Sequence, residues 1–347
     1  MKFLITGNLG YVGSELTKTL RKTYPNAEIE GFDIGLFARQ LTNNTYVPEI
    51  YLNKQYYGDV RNFPEYILEG VDVIIQLAAI SNDPIGNKFE KITDEINHLA
   101  AVNIAEKAKR KGVKRVVFAS SCSVYGLADD QARTENSDVN PLTAYARSKV
   151  NTENDLRSLA SDDFIVTCLR FATACGMSDR LRLDLVLNDF VAGAFTAKEI
   201  TILSDGSPWR PLINVRDMGR AIIWASERQI SEGGNYLIVN AGSNRWNYQI
   251  KDLAIAIKSI MQDVDVSINE NAQPDKRSYK VDFSKFASLA PKHQPSYDLE
   301  TTIHDLNEGF KSIQLTDKNF RSSSLIRLQV VNALIEEGMF DQDLKLL

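Results

Sequence analysis

Tyr145 and Lys149 stand four residues apart in Pro141-Leu-Thr-Ala-Tyr-Ala-Arg-Ser-Lys149. From Leu142 to Ala160 the chain is polar, Ala-rich and free of Gly and Pro, which predicts a helix. On a helix, positions i and i+4 share one face. A phenol beside an ammonium makes an acid/base device. The cation favours the phenolate, and a Tyr of depressed pKa takes a proton from an alcohol near neutral pH. Two common residues at this spacing also recur by chance, so the reading depends on what the chain sets around them.

One such element is at the N-terminus. A strand over Lys2 to Thr6 runs into Gly7-Asn-Leu-Gly10-Tyr11-Val12-Gly13, and a helix follows from Gly13 to Thr23. Glycines there let the backbone turn tightly and approach a pyrophosphate that faces the helix N-terminus. The spacing is Gly-x-x-Gly-x-x-Gly, with Asn8 in the extra position relative to the commoner fingerprint. Without a ligand, the same glycines would make only a tight turn. Twenty residues past Gly13, a second strand (Ala27 to Phe32) leads into Asp33. A carboxylate there suits ribose hydroxyls and repels a 2′-phosphate, so NAD is expected over NADP.

The other element is a strand, Arg115 to Ala119, that ends in Ser120-Ser121-Cys122-Ser123-Val124-Tyr125-Gly126. Open α/β sheets place ligands at strand C-terminal ends. A hydroxyl there could bond a substrate oxygen facing Tyr145, although three neighbouring serines cannot all be catalytic.

These segments need a scaffold. Val71 to Leu77 reads as a central parallel strand, Ile92 to Lys111 as a helix, and Phe164 to Arg170 as a further strand. The alternation predicts an α/β fold, a Rossmann-type doubly wound parallel sheet with a smaller mixed α/β substrate lobe. The expected division is residues 1–175, with returns near 212–241, for the sheet, and the remainder of 176–347 for the smaller lobe. Ile213 to Arg220 and Tyr236 to Ala241 are the expected returns, and Leu325 to Gly338 reads as a closing amphipathic helix.

Composition narrows the function classes. The 347 residues are 44% hydrophobic and 24% charged, with a net charge of −5, an ordinary globular profile. No Lys/Arg block favours nucleic acid. Apolar runs are too short to span a bilayer, and the N-terminus reads as a strand rather than a signal peptide. Three cysteines, Cys122, Cys168 and Cys175, without a CxxC, suit a reducing cytoplasm. His98, His293 and His304 are scattered, so no metal site is expected.

Together, Gly7-x-x-Gly10-x-x-Gly13, Ser-Ser121-x-x-Val-Tyr-Gly, Pro-x-x-x-Tyr145-x-x-x-Lys149 and Leu169-Arg170-Phe171 resemble the extended short-chain dehydrogenase/reductases. Within them the likeness is to nucleotide-sugar epimerases and dehydratases, enzymes of carbohydrate biosynthesis. The resemblance implies Tyr145 as base, Lys149 as the group holding Tyr145 and the nicotinamide ribose, and Ser121 as the catalytic hydroxyl. It implies NAD contacts from Asp59-Val60, from Leu77-Ala78-Ala79 and from Asn97. It also implies a nucleotide-diphosphate sugar bound by Ser81, Ser121, Cys122, Ser123, Thr173, Asn188, Arg210 and Arg277. Arg is suited to phosphate because its planar fork donates two parallel hydrogen bonds. A homodimer is expected through the helices Ile92 to Lys111 and Leu142 to Ala160.

Two departures shape the expected reaction. Dehydratases of this kind usually carry Asp-Glu after the catalytic hydroxyl, where this chain has Cys122-Ser123. Thr173 stands where the family often has Asn. The expected activity is a nucleotide-sugar epimerase working through a 4-keto intermediate, with Cys122 as a possible second acid/base or simply a small buried residue. The alternatives are a dehydratase or keto-reductase, and, from another class, a non-catalytic NAD-binding sensor or scaffold.

Overall fold

The computed structural model describes residues 1–81, 83–127, 131–269, 272 and 277–347. In chain order the strands are β1 Lys2–Thr6, β2 Glu28–Asp33, β3 Lys54–Tyr57, β4 Val73–Gln76, β5 Arg115–Ser121, β6 Ile165–Phe171, β7 Thr173–Cys175, β8 Glu199–Ile202, β9 Trp209–Asn214, β10 Tyr236–Ala241, β11 Asn247–Gln249 and β12 Asp265–Ile268. Seven of them form one parallel sheet in the order β10-β6-β5-β4-β1-β2-β3. The chain moves outward through β1, β2 and β3, then starts again at β4 on the other side of β1. That reversal opens a crevice above the C-terminal ends of β1 and β4, where α/β sheets bind ligands.

Central strands are apolar on both faces because helices cover both. Phe3 and Ile5 of β1 and Val73 and Ile75 of β4 pack with Leu16, Leu20 and Ile222 on one side. Leu4, Ile74 and Val116 pack with Ile104, Ala105 and Leu156 on the other. The helices supplying these layers are Tyr11–Thr23, Val215–Glu227, Ala100–Arg110 and Ala144–Leu159. β10 joins the sheet edge as expected, whereas residues 212–214 stay in a small sheet ordered β11-β9-β7. β8 and β12 form a parallel pair, and a separate core of Leu187, Val191, Ile257, Ile303 and Phe310 lies beneath these elements.

The helix read over Ile92 to Lys111 has a break of regularity. Glu90–Asp94 is α-helical, Glu95–Leu99 is a π-turn, and Ala100–Arg110 is α-helical again. Such π-turns concentrate near functional sites because they re-aim one side chain; here that residue is Asn97, fully buried. The closing helix spans Arg327–Glu336, and its Val330, Val331 and Leu334, with Phe340 and Leu344, pack on Ile34, Leu36, Phe37, Ile80 and Phe89. No helix among the described residues is long and apolar enough to cross a membrane.

Candidate active site

A cavity of about 800 Å³ follows the crevice from Asp33 and Asp59 at one end to Tyr145, Thr173 and Arg210 at the other. Its floor is the glycine loop. Gly7 has φ +78°, and a Cβ there would come within 2.4 Å of the Ala78 backbone nitrogen, so only glycine lets β1 and the segment after β4 meet. A Cβ on Gly10 would meet only the Gly7 carbonyl at 3.3 Å, which leaves the space above Gly10 to a ligand. The helix Tyr11–Thr23 starts there with Gly10 as N-cap and no side-chain cap, so its first N–H groups face the cavity. Asp33 is anchored beside the loop, accepting from Leu9 N at 3.0 Å and Gly35 N at 2.8 Å. Burial raises its pKa, and the two backbone donors partly oppose that rise. Tyr11, Val12, Gly13, Val60, Leu77, Ala78 and Ala79 line the same wall. Asp59 is held by Arg61, with Nη2 2.6 Å from Oδ2.

At the other end, Thr143 caps the helix Ala144–Leu159 by accepting from Ala146 N. This sets Tyr145 and Lys149 on the face turned to the cavity. The Lys149 ammonium lies 5.4 Å from the Tyr145 ring centroid and 4.6 Å from that of Phe118. Ser121 ends β5, accepts from Ser123 N at 3.2 Å, and is a hydrogen-bonding neighbour of the Tyr145 phenol.

The charge state differs from the sequence expectation. Tyr145 is pushed up to about 12, mainly by burial, while Ser121 and the Arg182 charge pull it back. Lys149 falls to about 7, again by burial, with Glu153 opposing. Both groups lose hydration when buried, and that loss penalises each charged form more than their proximity rewards it. A Lys149→Met variant is therefore expected to lose turnover while the ligand-free protein stays at least as stable as wild type. The folded value near 7 lies below the ordinary 10.5. Between these pH values the unfolded chain keeps a proton the folded chain has shed, so wild-type stability rises with pH. Thermal melts from neutral to alkaline pH should show that slope in wild type and its loss in the variant.

The serine cluster divides its work. Ser120 donates to Glu153 Oε1 at 2.5 Å inside the fold, Ser121 faces Tyr145, and the Ser123 Oγ is a buried cavity-wall atom without a partner among the described residues. Cys122 turns the other way, donating to the Arg170 carbonyl at 3.1 Å, and burial raises its thiol pKa. A second acid/base role for Cys122, or a substrate contact by it, is not supported by this geometry. Asn97 also supports rather than lines the cavity. Its Oδ1 accepts from Ile80 N at 2.8 Å, and its Nδ2 donates to Ile80 O and to Ser148 Oγ, which fixes the segment after β4 against the helix Ala144–Leu159.

Asn188, expected at the diphosphate, lies inside the fold. It is fully buried, accepting from Gly176 N at 2.9 Å and donating to Arg182 O at 2.9 Å, so its amide is spent within the fold. The helix Val186–Thr196 instead turns Asp189 to the cavity, in a two-bond pair with Arg321 at 2.8 Å for each bond. Ser81, Thr173, Arg210 and Arg277 do line the cavity. Ser81 accepts from Arg182 at 2.9 Å, Arg210 lies 5.7 Å from the Tyr279 ring centroid, and Arg277 pairs with Asp83.

The model of the NAD dependent epimerase/dehydratase family matches residues 3–242. The chain belongs to this family. A Bacillus subtilis (strain 168) protein named uncharacterized UDP-glucose epimerase YtcB is 30% identical over 238 residues, 64% of this chain and 71% of that one. A UDP-glucose 4-epimerase of Corynebacterium glutamicum is 27% identical over 271 residues, 73% of this chain and 78% of that one. Among solved structures, the NAD-dependent NDP-hexosamine 5,6-dehydratase TunA superposes with a TM-score of 0.77 at 23% identity, over 91% of this chain and 99% of that one, a likeness of fold.

The residues present fit the family's cofactor, NAD. The clear space over Gly10, the uncapped helix start and the anchored Asp33 provide for a diphosphate with a ribose beside it. Three cavity arginines escaped the sequence reading: Arg182, Arg321 and Arg327. For Arg182 there was a local signal. In Arg180-Leu-Arg182-Leu-Asp184 the apolar residues are fully buried, yet both arginines are also more than nine-tenths buried, which ordinary alternation does not produce. Arg321 and Arg327 lie far along the chain and carry no local pattern.

Proposed function

We propose that the chain is an NAD-dependent nucleotide-sugar 4-epimerase, with Tyr145 as base. The observation that carries this reading is the state of the cavity's carboxylates. Among the described residues, Asp33 is held by two backbone N–H groups, Asp59 by Arg61, Asp83 by Arg277, Asp184 by Arg182 and Asp189 by Arg321. With Cys122 turned away as well, no free carboxylate or thiol stands ready among the described residues to eliminate a hydroxyl or to invert a carbon beside a ketone. Tyr145, oriented by Ser121, is the group left for proton transfer, and 4-epimerisation needs no other.

Bound NAD supplies the hydride acceptor and donor. Tyr145 is a phenol in the ligand-free protein; with the positive charge of bound NAD beside it to favour the phenolate, it would take the proton of the sugar hydroxyl and return one after the sugar has turned its other face, so one residue serves both directions. Ser121 and the unpartnered Ser123 hydroxyl offer hydrogen bonds to the sugar oxygens. Arg210 and Arg277, which line the cavity, face the substrate's diphosphate, Arg277 keeping its pair with Asp83. A uridine diphosphate sugar is the first candidate, because the two epimerase relatives carry that nucleotide in their names.

We further propose that residues 1–175, with the returning strand β10 and helix Val215–Glu227, form the NAD-binding part, and the remainder the substrate-binding part. A homodimer through the helices around Ile92–Lys111 and Leu142–Ala160 is part of the same proposal; Leu99 on the first is half-exposed.

The test is a panel of nucleotide sugars followed by NMR in deuterated water. The expected product is the 4-epimer without solvent deuterium. A keto product, net NADH consumption, or deuterium in the sugar ring would replace this reading with a dehydratase, a reductase or an enolising epimerase.

A further inference from the structure

The C-terminal helix Arg327–Glu336 lies beyond the residues that the family model matches, yet it contributes to the cavity wall. Its first residue, Arg327, is only 2% exposed. One terminal nitrogen, Nη2, donates to the Arg180 carbonyl at 2.9 Å, and the guanidinium lies 4.4 Å from the centroid of the Phe37 ring. The other, Nη1, is buried and makes no hydrogen bond among the described residues. The nearby cations are paired: Arg180 with Glu49 at 2.8 Å and Arg182 with Asp184 at 2.9 Å. Arg327 has no carboxylate partner among the described residues. Burial, with the charges of Arg182 and Arg180 added and that of Asp184 opposing, pulls its pKa down to about 9.

The placement is unfavourable in a second way. A cation at the first position of a helix meets the positive end of the helix dipole. Ile326, the N-cap, supplies no side-chain acceptor. A buried, half-bonded guanidinium at an uncapped helix start is unfavourable unless an anion reaches it.

Its neighbours say which anion. Phe37, under the guanidinium, follows Asp33 in the segment after β2. Arg182, whose charge acts on Arg327, also acts on Tyr145 and donates to Ser81. Tyr11 of the glycine loop is a further charge neighbour of Arg327. Arg327 thus lines the same cavity as Asp33, the glycine loop and Tyr145, and stacks on Phe37, four residues past Asp33. In a dinucleotide, the part between the adenosine and the reacting ring is the diphosphate.

We propose that Arg327 is a cofactor-binding residue that pairs with the dinucleotide's diphosphate from the side opposite the glycine loop, so that the C-terminal helix closes the cofactor in. The proposal rests on NAD occupying the crevice. Other C-terminal contacts fit it: Val331 and Leu344 line the cavity, and Arg61, which grips Asp59, also donates to the carbonyls of Asp343 and Leu344.

The test compares the full-length wild type with Arg327→Met and Arg327→Lys. Nucleotide released from each purified protein is quantified, and NAD, ADP and UDP are titrated by thermal shift. Arg327→Met should weaken NAD and ADP about 10- to 100-fold, the usual worth of a hydrogen bond to a charged group, and leave UDP unchanged. Arg327→Lys should recover part of the loss, since it restores the charge but not the fork. The ligand-free Arg327→Met protein should melt no lower than wild type, because an unpaired buried cation has been removed, whereas a merely structural arginine would lower it. Equal NAD affinity in a folded Arg327→Met protein would overturn the proposal, as would a loss confined to UDP. A wild type that binds no NAD at all would instead overturn the cofactor assignment beneath it.

Discussion

Tyr145→Phe is expected to lower turnover about 10²- to 10⁴-fold, the usual worth of a positioned general base, with NAD still bound. The substitution removes one hydroxyl and keeps the ring, so Lys149 still packs against an aromatic face and the cofactor walls are untouched. The prediction is sharp because no cavity carboxylate or thiol among the described residues is free to substitute. Those carboxylates are held by arginines or backbone N–H groups, and Cys122 faces the Arg170 carbonyl. Measured kcat together with the NAD content of the purified variant checks it. Turnover near the wild-type level would remove Tyr145 from the mechanism.

Glu153→Gln is expected to produce the largest loss of stability, about 3–5 kcal/mol in chemical denaturation. Glu153 and Arg170 are 2% and 5% exposed along their side chains and meet in a two-bond pair at 2.9 and 2.7 Å. Ser120 donates to the same carboxylate, and Arg170 donates onward to the Tyr125 hydroxyl at 3.1 Å, which itself donates to Asn240 at 2.7 Å. Neutralising the carboxylate leaves a buried guanidinium without its counter-charge. Replacing both partners with Met should cost much less than Glu153→Gln alone, because no uncompensated charge remains. A double variant no more stable than the single one would show that the pair is not the source of the loss. The substitution also reaches the active site, since Glu153 is the group that holds Lys149 up against burial.

Much of this was legible in the chain. The glycine loop, the strand that precedes it and Asp33 are local features, and local backbone chemistry sets them. Parallel strands buried on both faces read as apolar runs, so β1, β4, β5 and β6 were found to within two residues. The i, i+4 spacing placed Tyr145 and Lys149 on one face, and one more step of four leads to Glu153, a signal that could have revealed the buried pair.

Other roles depended on directions that spacing does not carry. Asn188 and Asp189 are neighbours, and the phase of one helix decides that the first is fully buried and the second lines the cavity. Cys122 and Ser123 are split in the same way by the turn after β5. Asn97 acts on Ile80 because a π-turn re-aims it.

The sequence by itself determined the architecture, the cofactor crevice and the placement of Tyr145 and Lys149 on one helix face, because these follow from periodicity, glycine geometry and i, i+4 spacing. Only the tertiary structure decided the charge state of Tyr145 and Lys149, the pairing of the cavity carboxylates and the arrival of Arg327 from the C-terminus. Those depend on desolvation and on contacts between residues far apart in the chain, and both arise only when the elements pack together.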